Sequence, residues 1–505
     1  MVHLWSKFAS VAGVVSVIAA VFAPEPVTAA AAAAPAIPSI PAVRAYTPTA
    51  GGTWHPGPGT RVVAPAGSAV EDEARLLASE LGVPYANGPA RQGDVSLSLG
   101  WVNDNPESYE MTSSAAGITV RGTTDAGVFY GTRTLLQVLR AKGGFPAGVI
   151  QDRPDRPQRG LMVDVGRKYF TRGWLEERIR DMGDLKLNEL HLHLSDNQGF
   201  RIQSTTHPEV VSARHLSKAD IRAVVALAAQ RHITVIPEID SPGHLGALLA
   251  AHPSLRLRNA SGKLVNGALD ISRAGSATLV DDLLKEYAPL FPGPYWHLGG
   301  DEYGALTVAD PQRTFPRLAA YARARFGPQG TVADAATAWL NDRAALLRSY
   351  GKTTEAWNDG FFTSPRSWPD AGRQVDYWSS NKQRGPLPET YLREGRQLVN
   401  LNSWYLYYVL GGPANFPYPT GQAIYERWTP ALVFRDRTVP AALAGADRIL
   451  GGRLAIWCDN AGAQTQGRIA AGIRMPLRAL AQKTWDPGRP TLTWADFKNL
   501  AARVG

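Results

Sequence analysis

Cysteine is almost absent: the chain has one, Cys458, among 505 residues. No intramolecular disulfide can form, so stability has to come from a packed core. No Cys/His group has the spacing of a zinc finger, and no glycine-rich phosphate loop appears, so neither a metal nor a cofactor is expected. The net charge of +9 is spread along the chain without a Lys/Arg block. That excludes a dedicated nucleic-acid surface and leaves charge as a matter of solubility. The apolar run from Phe8 to Phe22 is shorter than the roughly 20 residues that cross a bilayer, and Pro24 and Pro26 follow it, so no membrane span is expected.

That run does have the form of an export signal. Lys7 precedes it and Ala-x-Ala cleavage options follow from Ala29 to Ala34, so residues 1–30 read as a signal peptide of a secreted protein. Residues 31–44, rich in Ala and Pro, read as a flexible linker. From 45 to 152, alternating apolar segments at Arg61 to Val63, Val95 to Leu99 and Gly117 to Val120 interleave with helical patterns at Glu71 to Leu81 and Asp125 to Leu139, which predicts a small α/β domain. The fourteen tryptophans are numerous, and indole serves cores and sugar faces alike.

From 153 to 505 the pattern becomes a repeated apolar strand, loop and amphipathic helix. Eight strands are expected: Gly160 to Val165, Glu189 to Leu194, Thr234 to Ile239, Tyr295 to Leu298, Thr354 to Trp357, Gln374 to Trp378, Gln397 to Leu401 and Arg453 to Trp457. The fold class is therefore α/β, a (β/α)8 TIM barrel preceded by a small α/β domain. Chemistry in such barrels sits at the C-terminal strand ends. Polar and aromatic residues gather there: Asp164 and Arg167, Asp196, Asp240 and His244, Asp301 and Glu302, Trp357 and Asp359, Trp378, Trp404 and Tyr405, and Trp457 and Asp459.

The most informative of these ends is His297-Leu298-Gly299-Gly300-Asp301-Glu302-Tyr303, a strand that delivers two adjacent carboxylates through two glycines. Glycine allows a sharp turn and close approach to a ligand, and paired carboxylates can be tuned apart for acid and base work. In isolation an Asp-Glu pair is as well explained as the start of a helix. The company it keeps on the rim favours a site.

Six ordered strings, RGLMVDVGRKYF, HLHLSDNQGFRI, PEIDSPGH, HLGGDEY, EAWNDG and DYWSS, resemble glycoside hydrolase family 20, the β-N-acetylhexosaminidases, and GITVRGTTDAGVFYGTRTLLQVL resembles the end of that family's N-terminal domain. The resemblance implies hydrolysis of glycans with β-linked N-acetylhexosamine, in which the sugar's own acetamido oxygen attacks the anomeric carbon. It implies that Glu302 is the general acid and base, that Asp301 orients the acetamido N–H, and that Asp196 and His244 tune the acid. Trp357, Trp378 and Trp457 would box the acetamido methyl and sugar face, Tyr405 would donate to the acetamido oxygen, and Arg167 would grip outer hydroxyls.

Two departures stand out. Trp457-Cys458-Asp459 replaces the family's Trp-x-Glu, and Tyr405-Leu406-Tyr407 replaces Tyr-Leu-Asp or Tyr-Leu-Asn, which puts Asp459 and Tyr407 at the far side of the sugar and touches substrate choice. The leading expectation is a secreted exo-acting β-N-acetylhexosaminidase. A lacto-N-biosidase-like enzyme releasing a disaccharide is the rival within the family. A carbohydrate-binding pseudoenzyme is the rival of another class, and the intact acid pair argues against it.

Overall fold

The computed structural model describes residues 37–380, 385–412, 417–488 and 491–505. The expected signal peptide, 1–30, lies outside them. The N-terminal domain is a seven-stranded sheet in the order β1 (Ala45–Trp54), β7 (Phe145–Asp152), β5 (Tyr109–Ser114), β6 (Gly117–Gly122), β4 (Val95–Leu99), β2 (Val62–Val63) and β3 (Tyr85–Ala86). Helix α1 (Glu71–Leu81) stops at Gly82, whose φ of 67° makes a left-handed cap open to glycine at no steric cost. Helix α2 (Asp125–Lys142) is buried from Gly127 to Val138, because it packs on its own sheet and also on barrel helix α3 (Arg172–Asp184). Contacts on more than one side explain why it is buried nearly all round, Arg133 and Gln137 included.

The described end of the Ala/Pro-rich stretch is packed rather than free. Ile37 to Pro41 are buried, and Gln137 on α2 accepts from the Ile40 N–H and donates to its carbonyl. Composition misled here because proline and alanine suit a buried turn as well as a tether. Only the pairing with Gln137, 97 positions away, decides between them.

The second sheet is the barrel. Its parallel strands run β8 (Gln158–Asp164), β9 (Glu189–His193), β10 (Thr234–Glu238), β11 (Tyr295–His297), β12 (Thr353–Trp357), β13 (Gln374–Tyr377) and β14 (Leu398–Asn400). Beyond them, β16 (Ile449–Trp457) pairs with β8 on one side and β14 on the other, which closes the ring. The seventh position is split. β14 pairs only with the first part of β16, Ile449 to Gly452, and a further strand, β15 (Tyr407–Val409), pairs with its last part, Ala455 to Trp457.

Inside the barrel, alternate residues of each strand face the axis. At the N-terminal end Arg453 binds Glu189 at 2.9 Å, Glu355 at 2.8 Å and Asp376 at 2.7 Å, all buried. One layer up, the Glu238 carboxylate meets His191 at 3.0 Å, His193 at 2.7 Å and His297 at 3.0 Å. Burial opposes the Glu238 charge, but His193 and His297 outweigh it and hold its carboxyl well below the usual range. This polar column is the floor on which the next layer stands.

Candidate active site

The top layer surrounds a pocket of about 150 Å3 at the C-terminal ends of the strands. Its acidic wall is the turn after β11. Gly299 and Gly300 have φ of 72° and 95°, and Glu302 itself has φ of 46°. A Cβ on Gly299 would fall 1.8 Å from Asp240 Oδ1, and the Gly300 N–H donates to that oxygen at 2.8 Å. The two glycines are thus required by geometry, and Asp240 pins the turn that presents Asp301 and Glu302.

His244, also at positive φ, lies between the carboxylates. Its Nδ1 is 3.4 Å from Asp196 Oδ1, and its Nε2 is 3.4 Å from Asp301 Oδ2 and 3.7 Å from Glu302 Oε2. Burial alone would lower its basicity, but Asp301 and Asp196 outweigh burial and raise the imidazole pKa well above its ordinary value. Asp301 is correspondingly lowered, by the His244 charge and hydrogen bond against the effect of burial. Asp196 is held far below the usual carboxylate range by His193 and His244, again against burial, and it also binds Arg167 at 2.9 Å. Glu302, by contrast, has 43% of its side chain exposed, so a leaving group and water can both reach it.

The opposite wall is aromatic. Trp378 and Tyr407 lie parallel within 8° at 5.8 Å, and Trp457 is 5.5 Å from Trp357 and 5.8 Å from Tyr407. Trp357 Nε1–H donates to Glu238 at 2.8 Å and Trp378 Nε1–H to Asp359 at 3.0 Å, so the rings are oriented by buried acids. The rim holds Arg167, bound to Asp164 at 3.0 Å and within 3.9 Å of Asp459.

Ten of the eleven residues singled out from the sequence stand around this pocket or, like Asp196, directly behind it. Tyr405 does not. It packs in the outer core with Leu406 and Tyr408 and donates its hydroxyl to Asp436, while neighbouring Trp404 is 49% exposed to solvent. The chain from Asn402 to Leu406 is a turn, so the inward parity starts afresh at β15 and selects Tyr407 and Val409. Tyr407 is therefore not an outer-side residue: burial first, and then the charge of Asp301, raise its phenol well above its ordinary pKa.

Three contributors carried no role in the sequence reading. Val409 supplies an apolar patch of wall. Glu238 supports Trp357 from the end of β10, and its sequence signal was its place in the string PEIDSPGH. Asp359 accepts from the Glu302 N–H at 3.1 Å as well as from Trp378, and burial and then Asp301 push its carboxyl up to about 7. Asp240, His244 and Asp301 bring donor atoms within 4.8 Å of one another, a possible cation set. The two carboxylates that His244 faces also suit it to hold a proton there.

The chain matches the glycosyl hydrolase family 20 catalytic domain over residues 157–487 and that family's domain 2 over residues 36–153. It is 28% identical to a lacto-N-biosidase of Bifidobacterium bifidum over 464 residues, 90% of this chain and 40% of that protein. It is 35% identical to a β-hexosaminidase of Porphyromonas gingivalis over 225 residues, 39% of this chain and 29% of that one. The aligned stretches are thus less than half the length of either relative. The fold is shared with a β-N-acetylhexosaminidase from Streptomyces coelicolor, with a TM-score of 0.74 at 24% identity, covering 93% of this chain and 95% of that one.

Proposed function

The chain belongs to glycosyl hydrolase family 20 and is a glycoside hydrolase, and from that premise we propose that it cleaves the bond of a terminal β-linked N-acetylhexosamine through an oxazolinium ion, with retention. One observation carries the reading: Asp301 and Glu302 both converge on His244 Nε2, at 3.4 and 3.7 Å. We read two carboxylates that are adjacent on one turn and share one imidazole as standing on the same side of a bound sugar, not as flanking its ring like the acid and nucleophile of the usual retaining pair. On that reading the nucleophile comes from the substrate, and the acetamido oxygen is suited to the task.

Glu302 gives its proton to the departing oxygen and afterwards takes one from water. Asp301, kept ionised by His244, faces the acetamido nitrogen as that nitrogen becomes positive, an interaction that strengthens toward the transition state. Tyr407, raised well above its ordinary pKa and so a phenol, donates to the acetamido oxygen from the wall of Trp378 and Trp457. Arg167 holds outer hydroxyls. Residues 1–30 we read as an export signal, and the N-terminal residue of protein recovered from culture medium would test it.

Disaccharide release is the second reading. Val409 presents a methyl surface where an acidic or amide acceptor would hold a terminal sugar, and a lacto-N-biosidase aligns with 90% of the chain. Purified enzyme is to be given chitobiose, an aryl N-acetylglucosaminide, its galactosylated counterpart and an aryl glucoside. The main reading expects GlcNAc release and negligible glucose release, with competitive inhibition by a thiazoline analogue of the cyclic ion. Rapid disaccharide with little monosaccharide selects the second reading. Efficient glucoside turnover, or a sugar trapped on a protein carboxylate, sinks the mechanism.

A further inference from the structure

A second cluster of ionisable side chains lies outside the pocket, on the outer parts of the βα loops that serve it. The loop from β9 to α4 (Lys218–Ala229) carries Asp196 and, eleven positions on, His207, followed by a short turn of helix, Pro208–Val210. The loop after β10 carries His244, then helix α5 (Gly246–Ala251), then His252. These two outer segments pack on each other. A single oxygen, Glu209 Oε1, lies 3.0 Å from His207 Nδ1 and 2.9 Å from His252 Nε2. Helix α6 (Ala274–Tyr287) adds Asp282, whose Oδ2 is 3.7 Å from His207 Nε2.

This arrangement does not satisfy a neutral His207. Its two ring nitrogens each face a carboxylate oxygen, and neutral imidazole carries one N–H. If Nδ1–H donates to Glu209, the Nε2 lone pair points at Asp282. That Nε2 is buried and has no hydrogen-bond partner. A second ring proton answers both carboxylates, and so does a cation on Nδ1, with the single proton then on Nε2 and offered to Asp282. A carboxylate behind the distal nitrogen is the usual support of a metal-bound histidine.

We propose that His207, Glu209 and His252 form a site for a divalent transition-metal ion, zinc first among them. One donor atom from each residue already falls within 4.8 Å of the other two. Zinc bonds of about 2.0–2.1 Å to nitrogen and 2.0–2.2 Å to oxygen place tetrahedral donors about 3.3 Å apart. The two short contacts need open by only a few tenths of an ångström. Glu209 keeps 43% of its side chain exposed, which gives an entry path and a fourth position for water. Two imidazoles and a carboxylate suit zinc better than magnesium or calcium, which favour all-oxygen sets. The His191, Glu238 and His297 group offers similar donors but is sealed inside the barrel. Bound at His207, the ion would staple the loop that supplies Asp196 to the loop that supplies His244.

The test uses the full chain without a polyhistidine tag, stripped with chelator and titrated with zinc ion alone in a calorimeter near pH 7.5. One ion per chain is expected, with a rise in Tm of about 2–3 °C at about 100-fold excess over Kd. Asp282→Asn should weaken binding by about 10- to 100-fold, and Glu209→Gln and His252→Ala should abolish it while leaving hydrolysis of an aryl substrate as the check of folding. An anomalous difference map of a zinc-soaked crystal should show a peak between the three side chains whether or not the variants fold. Absence of stoichiometric binding, binding unchanged in both Glu209→Gln and His252→Ala, or a peak elsewhere overturns the proposal.

Discussion

Asp359 is pulled two ways over its proton. The N–H groups of Glu302 and Trp378 favour its ionised form, whereas burial and Asp301 oppose it and win, so its pKa rises from 3.8 to about 7. Between those values the folded chain keeps a proton that the unfolded chain has lost, and stability falls as pH rises through the window. Asp359→Asn removes this slope, so urea midpoints at pH 5 and 7.5 should differ less in the variant than in the wild type. A pair of equal differences would show that Asp359 is already ionised at pH 5. Two tyrosines separate as sharply. Tyr407→Phe should cut kcat by about 10²- to 10³-fold, the usual cost of removing one donor to a developing charge. Tyr405→Phe should leave kcat alone and cost about 0.5–1.5 kcal/mol of stability through the lost bond to Asp436. The reverse pattern would restore the role that sequence alone gave to Tyr405. For Glu302→Gln, loss of about 10²- to 10⁴-fold is expected on glycans with poor leaving groups and much less on aryl glycosides. Equal loss on both kinds removes Glu302 from the acid role.

At the level of elements, most barrel strands were legible because each is a short apolar run followed by polar residues. What escaped was the broken seventh position. Tyr405, Leu406, Tyr407 and Tyr408 are all at home in a strand, so nothing local says where the turn ends and the inward parity begins. The acid-bearing turn was legible through its company, since alone its acids read as well as the start of a helix and only the other strand ends on the same rim favoured a site. Gly299→Ala should test that turn. The added methyl meets Asp240 Oδ1 at 1.8 Å in a left-handed backbone, and a loss of about 1–3 kcal/mol is expected together with a fall in kcat. Retention of both would mean that the turn tolerates a side chain and that Asp240 does not pin it.

Across the whole molecule, the two sheets are joined by charges that no local pattern announces. Lys186, in the barrel, is fully buried among Tyr109, Thr134 and Asp152 of the first domain, at 3.0, 2.8 and 3.2 Å. Arg159 reaches Glu107 at 2.7 Å in the same seam. Domain content could be read from periodicity, but these pairings depend on chain segments far apart in sequence. Lys186→Met leaves the Asp152 carboxylate without its counter-charge and should cost about 3–5 kcal/mol, with both domains still melting in a single calorimetric transition. Two resolved transitions in the wild type would show that the seam does not couple them. The split seventh strand has a different consequence. Among the described residues, β15 pairs as a strand with β16 alone, while Asp301 and Glu302 arrive from β11 across the pocket. Selection can therefore try new side chains at Val409, on a short splint at the barrel's edge, without disturbing the backbone that holds the acids. The acids and the Val409 patch thus stand on separate strands, although Tyr407 shares its strand with Val409.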